Sequence, residues 1–336
     1  MTERKPTIID VARLAGVSKS VVSRVFTGQG SVGAGARQRV LDAAAELGYV
    51  VNAMARGMVA RRTYTLGVFA RDASTPFYGH LLTAMQERAY HHGYRVVTTT
   101  GAGRFEIADE RRALETLVML QVEGLVVCSG LLPAEDIAAF VNRIPTVVAG
   151  RPERHAEIAS VYCDEEHGGT GLADHVLALG HRTVAVITLG VEHSLTMSAR
   201  TAAMVRRLRE RGVEVLELAG GLAWDVGELV PVIAVRPDVT AVMAPSDWHA
   251  VRLMETLADA GIDVPGRLSV TGYDAVGYNT SLIGLTTWRQ PLDTIGARAV
   301  DAVVGLLDAD SPPSHQALHG ELMPGRTAGA PTLRSS

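Results

Sequence analysis

The 336 residues predict an N-terminal three-helix helix-turn-helix domain, a hinge, and an α/β body of two doubly wound parallel-sheet lobes. Three observations carry this expectation. Residues 7–26 read as two short helices joined at Gly16. From Thr65 onward, apolar strand-like runs alternate with amphipathic helical stretches, the pattern of parallel sheets with right-handed crossovers. Charge is divided unevenly: residues 1–62 hold ten Lys/Arg and four acids, a net +6, whereas the whole chain is −4, so the rest carries −10. A basic head on an acidic body is the electrostatic footprint of a chain that holds nucleic acid at one end.

In the head, Thr7 and Asp10 form a capping box, and Ile8, Val11, Ala12 and Ala15 then fall on one apolar face. Gly16 ends that helix and Ser18 caps the next. Val22, Val25 and Phe26 point inward, leaving Lys19, Ser20, Ser23 and Arg24 as a short polar, partly basic face suited to the DNA major groove. A solvated helical hairpin is the plainer alternative for this stretch alone. Gly28, Gly30 and Gly33 match GxGxxG but follow a helix rather than a strand, so they carry no dinucleotide signal. Residues 34–47 form a third helix with Val40, Leu41, Ala44 and Leu47 inward. So small a head buries little surface and is expected to be marginally stable alone. Residues 51–62 read either as an ordinary linker or as a conditional helix capped by Asn52, too short to persist in water without a partner.

In the body, strands are expected at 65–70, 95–99, 124–128 and 146–149, with helices at 77–92, 106–121 and 133–142. A second series follows, with strands near 183–188, 213–218, 239–244 and 268–273 and helices near 167–179, 197–211, 225–236 and 248–260. Ligands in such folds sit outside the carboxyl ends of the strands. The tail from Ser311 holds four prolines and reads as largely irregular. The resulting division is 1–50 for the head, 51–62 for the hinge, 63–325 for the two lobes with crossovers near 161–164 and 289–293, and 326–336 for an irregular tail.

Composition and motifs exclude several classes. Hydrophobic content of 47% with 20% charged residues is ordinary globular composition. No run approaches the roughly 18 apolar residues of a membrane helix. The start, Met-Thr-Glu-Arg-Lys-Pro, lacks a signal-peptide core, so a cytoplasmic protein is expected. Cys128 and Cys163 sit in apolar runs, where buried thiols are favoured over a disulfide. The eleven His show no HExxH or zinc spacing and no GxSxG occurs, so no enzyme, metal or cofactor is expected.

Further motifs are Thr7-Ile-x-Asp-Val-Ala, Ala15-Gly-Val-Ser, Val22-Ser-Arg-Val, Glu46-Leu-Gly-Tyr and Asn52-Ala in the head. The body adds Ser74-Thr-Pro-Phe-Tyr, Leu179-Gly-His-Arg, Ser198-Ala-Arg, Ser269-Val-x-Gly-Tyr-Asp and Leu285-Thr-Thr-x-Arg-Gln-Pro. In this order and spacing the chain resembles the lactose-repressor (LacI/GalR) family of transcription regulators over essentially its whole length.

The resemblance implies that the second helix lies in the major groove, with base reading by Lys19, Ser20 and Arg24 and phosphate contacts from Ser18, Ser23, Thr7 and Tyr49. Lys19 suits either a guanine edge or a phosphate. It also implies a hinge helix through Asn52, Ala55 and Met58 that folds on the operator and wedges a side chain, here Met58, into the minor groove. The body resembles periplasmic sugar-binding proteins, and the implied cleft residues are Ser74, Phe77, Arg151, Arg200, Trp224, Asp247, Asp274 and Gln290. Asp247 and Asp274 read equally as helix caps, and Trp224 as core or interface packing.

Departures from the family pattern are Val51 for a usual Pro, Gly33-Ala-Gly for Ser-Pro-Glu, Gly57 for Ser, Ser246 for Asn, and Ala203-Met204 for Gly-Phe. They imply a looser head and hinge and leave the particular ligand open. The implied function is a ligand-responsive repressor that binds a palindromic double-stranded DNA operator as a homodimer, with a sugar-like small-molecule effector between its lobes. A nucleobase or other metabolite, or a protein partner, is the alternative trigger. A solute-binding protein without DNA function is opposed by the missing signal peptide and the basic head.

Overall fold

A computed structural model describes residues 6–27, 31–49, 62–101, 106–221, 228–309 and 311–332. The head comprises α1 (Ile8–Ala15), α2 (Lys19–Thr27) and α3 (Ala34–Glu46). Thr7 donates to Asp10 from both its backbone N–H (2.9 Å) and its hydroxyl (2.6 Å), and Gly16 at φ 63° turns the chain into α2. Val11, Ala12, Ala15, Val22, Val25, Val40, Ala43 and Ala44 form the core of this unit. Leu41, expected inside, is 40% exposed, and Ala43 takes the inward position on α3. Gly33 begins α3 without a side-chain cap, as the loss of Ser-Pro-Glu implies.

Residues 50–61 lie outside the described residues, and the conditional-helix reading of 51–62 falls there with them. The chain re-enters the body at Thr63 and Tyr64, whose backbone N–H groups both donate to the Glu123 carboxylate, beside the Arg62–Glu123 ion pair.

The first lobe holds β1 (Thr65–Ala70), α4 (Pro76–His91), β2 (Arg95–Thr100), α5 (Ile107–Met119), β3 (Gly124–Cys128), α6 (Ala134–Val141), β4 (Thr146–Ala149) and β5 (Ala159–Cys163). The second holds α7 (Glu165–Ala178), β6 (Thr183–Leu189), α8 (Leu195–Glu210), β7 (Glu214–Gly220), α9 (Leu229–Ala234), β8 (Ala241–Met243), α10 (Asp247–Asp259), β9 (Ser269–Thr271) and α11 (Tyr278–Ile283). Then come β10 (Thr287–Arg289), α12 (Leu292–Leu307), β11 (His315–Leu318) and β12 (Glu321–Met323).

The sheets run β11-β5-β4-β3-β1-β2 and β7-β6-β8-β9, parallel throughout. Every residue of β3 and β4 is buried, as continuous apolar runs in parallel strands require. Cys128 in β3 and Cys163 in β5 are buried free thiols.

The chain crosses between the lobes three times, after β5, after β10 and between β11 and β12. After β5 the chain enters the second lobe, and after β10 it returns as α12 to pack on α4. Gly296 permits that contact, since a Cβ there would stand 2.8 Å from the Ala84 Cβ and 2.9 Å from the Leu81 carbonyl oxygen. The expectation of an irregular tail from Ser311 does not hold. β11 adds a parallel edge strand beside β5, and β12 pairs antiparallel with β10. Beyond them Val270 donates to the Thr327 carbonyl at 2.8 Å, and the buried His181 bridges Thr240 (2.8 Å) and the Gly329 carbonyl (3.0 Å). The prolines precede and follow these short strands rather than interrupting them, which is why they misled the sequence reading.

Candidate nucleic-acid interface and ligand cleft

On α2, Lys19, Ser20 and Arg24 are exposed together with Ser18, while Ser23 is half-buried. Ser18 receives the Val21 N–H at 3.4 Å and pairs with the Ser20 hydroxyl at 2.8 Å. Arg24 Nε donates to the Ser20 carbonyl at 3.3 Å, which lays its side chain back along the helix. Thr7 differs from the other implied phosphate contacts, because its only hydroxyl proton is donated to Asp10. Tyr49 is half-buried against Phe26, with ring centroids 5.9 Å apart. Asn52, Ala55 and Met58 lie outside the described residues.

Between the lobes, at the carboxyl ends of their strands, lies a cleft of about 970 Å³. Ser74, Phe77, Arg200, Asp247 and Asp274 line it. Arg151 and Gln290 do not. Arg151 is buried and turned toward the Leu132 carbonyl (2.6 Å) and Glu153 (3.3 Å), and Gln290 stands behind Asp274, donating to its Oδ1 at 2.7 Å. Trp224 lies outside the described residues.

The floor is a charge network. Arg200 forks onto Glu165 through two 2.7 Å hydrogen bonds and donates to Asp274 Oδ1 and the Pro245 carbonyl, each at 3.0 Å. Its guanidinium also lies 3.9 Å from the Tyr273 ring centroid. Burial works against the Arg200 charge, but Glu165 and Asp274 outweigh it and raise its pKa. Burial raises the Glu165 carboxyl, with Arg200 opposing.

Asp247 opens α10 without capping it. Ser246 is the cap, while Asp247 accepts from the Thr287 hydroxyl (2.6 Å) and the Val276 N–H (3.1 Å). Burial first, and then the Asp274 charge, push the Asp247 carboxyl up to about 8. Gly272 makes room for it, because a Cβ there would come 2.4 Å from its Oδ1. Asp274 sits at φ 113° and Ala275 at φ 54°, a strained turn of the kind found where side-chain placement is overdetermined.

Sequence reasoning missed Arg71, Met197, Trp248 and His249, all of which line the cleft. Trp248 is 43% exposed there, an aromatic surface available where the implied Trp224 cannot be described. Arg71 pairs with Glu110 at 3.2 Å and reaches across the lobes to the His193 carbonyl at 2.9 Å. Beside it the Leu195 N–H donates to the Gly130 carbonyl at 3.0 Å, so two cross-lobe bonds hold one side of the cleft.

Residues 7–52 match the model of bacterial regulatory proteins of the lacI family, and residues 173–328 match a periplasmic binding protein-like domain. The HTH-type transcriptional regulator GalR of Escherichia coli (strain K12) is 31% identical over 90% of this chain and 89% of its own length. The chain belongs to the LacI family. Catabolite control protein A of Priestia megaterium is 29% identical over 88% of this chain and 90% of its own length. The Lac repressor dimer bound to operator and the anti-inducer ONPF superposes with a TM-score of 0.81 at 25% identity, covering 97% of this chain and all of that one. A transcriptional regulator CelR–cellobiose complex gives 0.70 at 26% identity, covering 96% and 99%. This member of the family is therefore a DNA-binding transcriptional regulator with a periplasmic-binding-protein-like body. Among the described residues, no helix is long and apolar enough to cross a membrane.

Proposed function

We propose that the chain is a cytoplasmic repressor, without catalytic activity, that binds a near-palindromic operator as a homodimer and is controlled by a sugar-like effector held between its lobes. Lys19, Ser20 and Arg24 read bases, Ser18 and Ser23 contact phosphates, and residues 51–62 form a hinge that orders on DNA with Met58 as its wedge. The observation that carries this reading is the pairing of an exposed Lys19-Ser20-Arg24 face at one end of the chain with a large interlobe cleft at the other. The operator-bound Lac repressor dimer and the cellobiose-bound relative support the two halves of it.

Two heads joined by symmetry match two half-sites of a palindrome. An effector that favours one arrangement of the lobes shifts the spacing of the two hinges and hence the grip of the heads. Selection of bound duplexes from a random DNA library by the full-length chain tests this. The expected product is a palindromic sequence whose affinity changes when a sugar from a screened panel is added. Recovery of no preferred sequence contradicts the operator reading.

A further inference from the structure

We propose that Arg71 is a positioning residue of the cleft: with the Leu195 N–H it latches the two lobes and sets the gap into which an effector fits. The consequence for binding rests on the reading of the cleft as an effector site, whereas the latch itself does not. Arg71 follows β1 in the first lobe and is buried. Its Nη1 donates to the His193 carbonyl of the second lobe at 2.9 Å. The Leu195 N–H of the second lobe donates to the Gly130 carbonyl of the first at 3.0 Å. Both bonds join groups of the chain itself, so neither depends on what occupies the cleft.

Each half of the latch is fixed within its own lobe. In the first, Glu110 holds the Arg71 guanidinium through a 3.2 Å ion pair and accepts the Ser129 hydroxyl at 2.5 Å. Ser129 in turn accepts the Leu131 and Leu132 N–H groups at 3.1 and 2.9 Å, locking the turn that presents the Gly130 carbonyl. In the second lobe the His193 N–H donates to the Gly190 carbonyl at 3.0 Å, and Ser194 caps α8 by accepting the Met197 N–H at 3.3 Å. Leu195 is the first residue of α8, so its N–H has no partner within the helix and serves the other lobe. Donors and acceptors already held in place lose little freedom when they pair.

Position gives the latch leverage. The chain leaves the first sheet from β5 and β11, at one edge of the order β11-β5-β4-β3-β1-β2. It leaves the second beside β9, where Thr271 bridges to Thr286 just before β10. The latch follows β3 and β1 in the first sheet, two and three strands from β5, and β6 in the second, two strands from β9. At about 4.8 Å per strand it stands roughly 10 Å or more from the crossovers, where any opening about them spreads the lobes. It therefore biases the body toward one arrangement of the lobes, and that bias enters the apparent affinity of whatever binds between them.

The test measures the gap in the full-length chain with spin labels at Ala139→Cys on α6 and Ala199→Cys on α8, both exposed positions. Excess unlabelled chain is mixed in so that distances within one chain are read, and the buried Cys128 and Cys163 leave the introduced thiols to react. Arg71→Met removes one bond. Leu195→Pro removes the other and spares the Arg71–Glu110 pair. Proline fits the first position of a helix, and Ser194 before it has the extended backbone that proline requires (φ −164°, ψ 120°). Leu195 is also not part of the cleft wall, so its replacement changes no ligand contact.

The expected result is one narrow wild-type distance that lengthens by about 2 Å or more in each variant. Binding of whichever of galactose, glucose or cellobiose shifts the wild-type thermal midpoint is expected to weaken about threefold or more in both. A broad wild-type distribution, which needs no variant to fold, or unchanged distances in both variants overturns the latch while leaving the cleft an effector site. Lengthening in Leu195→Pro alone overturns the role of Arg71. Lengthening with unchanged sugar affinity overturns the control of binding. Lengthening with no response to any of the sugars keeps the latch and overturns the effector reading.

Discussion

Arg200 and Glu165 meet through two parallel 2.7 Å hydrogen bonds in the buried floor of the cleft, joining the middle of the second lobe to the first turn after the chain leaves the first lobe. Fork-to-carboxylate geometry is the strongest form of side-chain pairing, and here it fixes a guanidinium that also holds Asp274. Breaking it leaves a buried charge short of a partner. Glu165→Ala is expected to destabilise the body by about 3–5 kcal/mol, read as a lowered midpoint in denaturant unfolding. A loss below about 1 kcal/mol contradicts the structural role.

Asp247 and His249 give stability opposite pH dependences. The folded Asp247 carboxyl, raised to about 8, keeps its proton where the unfolded one, near 3.8, has lost it, so stability falls as pH rises between those values. The folded His249 ring, lowered to about 4, refuses a proton that the unfolded ring takes near 6.5, so stability falls as pH drops through that window. Asp247→Asn should therefore flatten the thermal-midpoint profile from about pH 6.5 to 8 and expose the His249 rise with pH between about 4 and 6.5. His249→Gln should leave the Asp247 contribution alone, so that stability falls with rising pH all the way from about 4 to 8. Profiles parallel to wild type in both variants contradict these assignments.

Packing of α12 on α4 leaves no space at Gly296, where a Cβ would come 2.8 Å from that of Ala84. Gly296→Ala is expected to cost about 1–3 kcal/mol in unfolding experiments. An unchanged midpoint would mean that the helices separate readily.

On the DNA side, Lys19→Met distinguishes base reading from phosphate binding. Base reading predicts relaxed preference at one base pair, worth about 1–3 kcal/mol, with little change in salt dependence. Uniform weakening with a salt slope reduced by about 1 assigns Lys19 to a phosphate instead.

Legibility followed burial. Gly124–Cys128 and Thr146–Ala149 read as strands because parallel strands covered on both faces are continuous apolar runs. Thr7 and Asp10 announced α1 because their chemistry is local. His315–Leu318 stayed hidden because an edge strand alternates between exposed and half-buried residues and is defined by the β5 backbone beside it, not by its own composition. The same limit governs the cleft. Arg151 has the right chemistry for a sugar contact, but a carbonyl and a carboxylate from its own lobe draw it elsewhere. Trp248 and His249 reach the cleft only because Ser246 starts α10 where it does, and no local pattern shows which way that helix faces.

The proposed linkage joins occupancy of the interlobe cleft to the grip of α2 on DNA. Its most direct test is the operator affinity of the full-length chain, measured with and without a saturating sugar that shifts its thermal midpoint. The expected result is that the sugar changes operator affinity and that operator changes sugar affinity by the same factor. A sugar that binds the body while leaving operator affinity unmoved would contradict it.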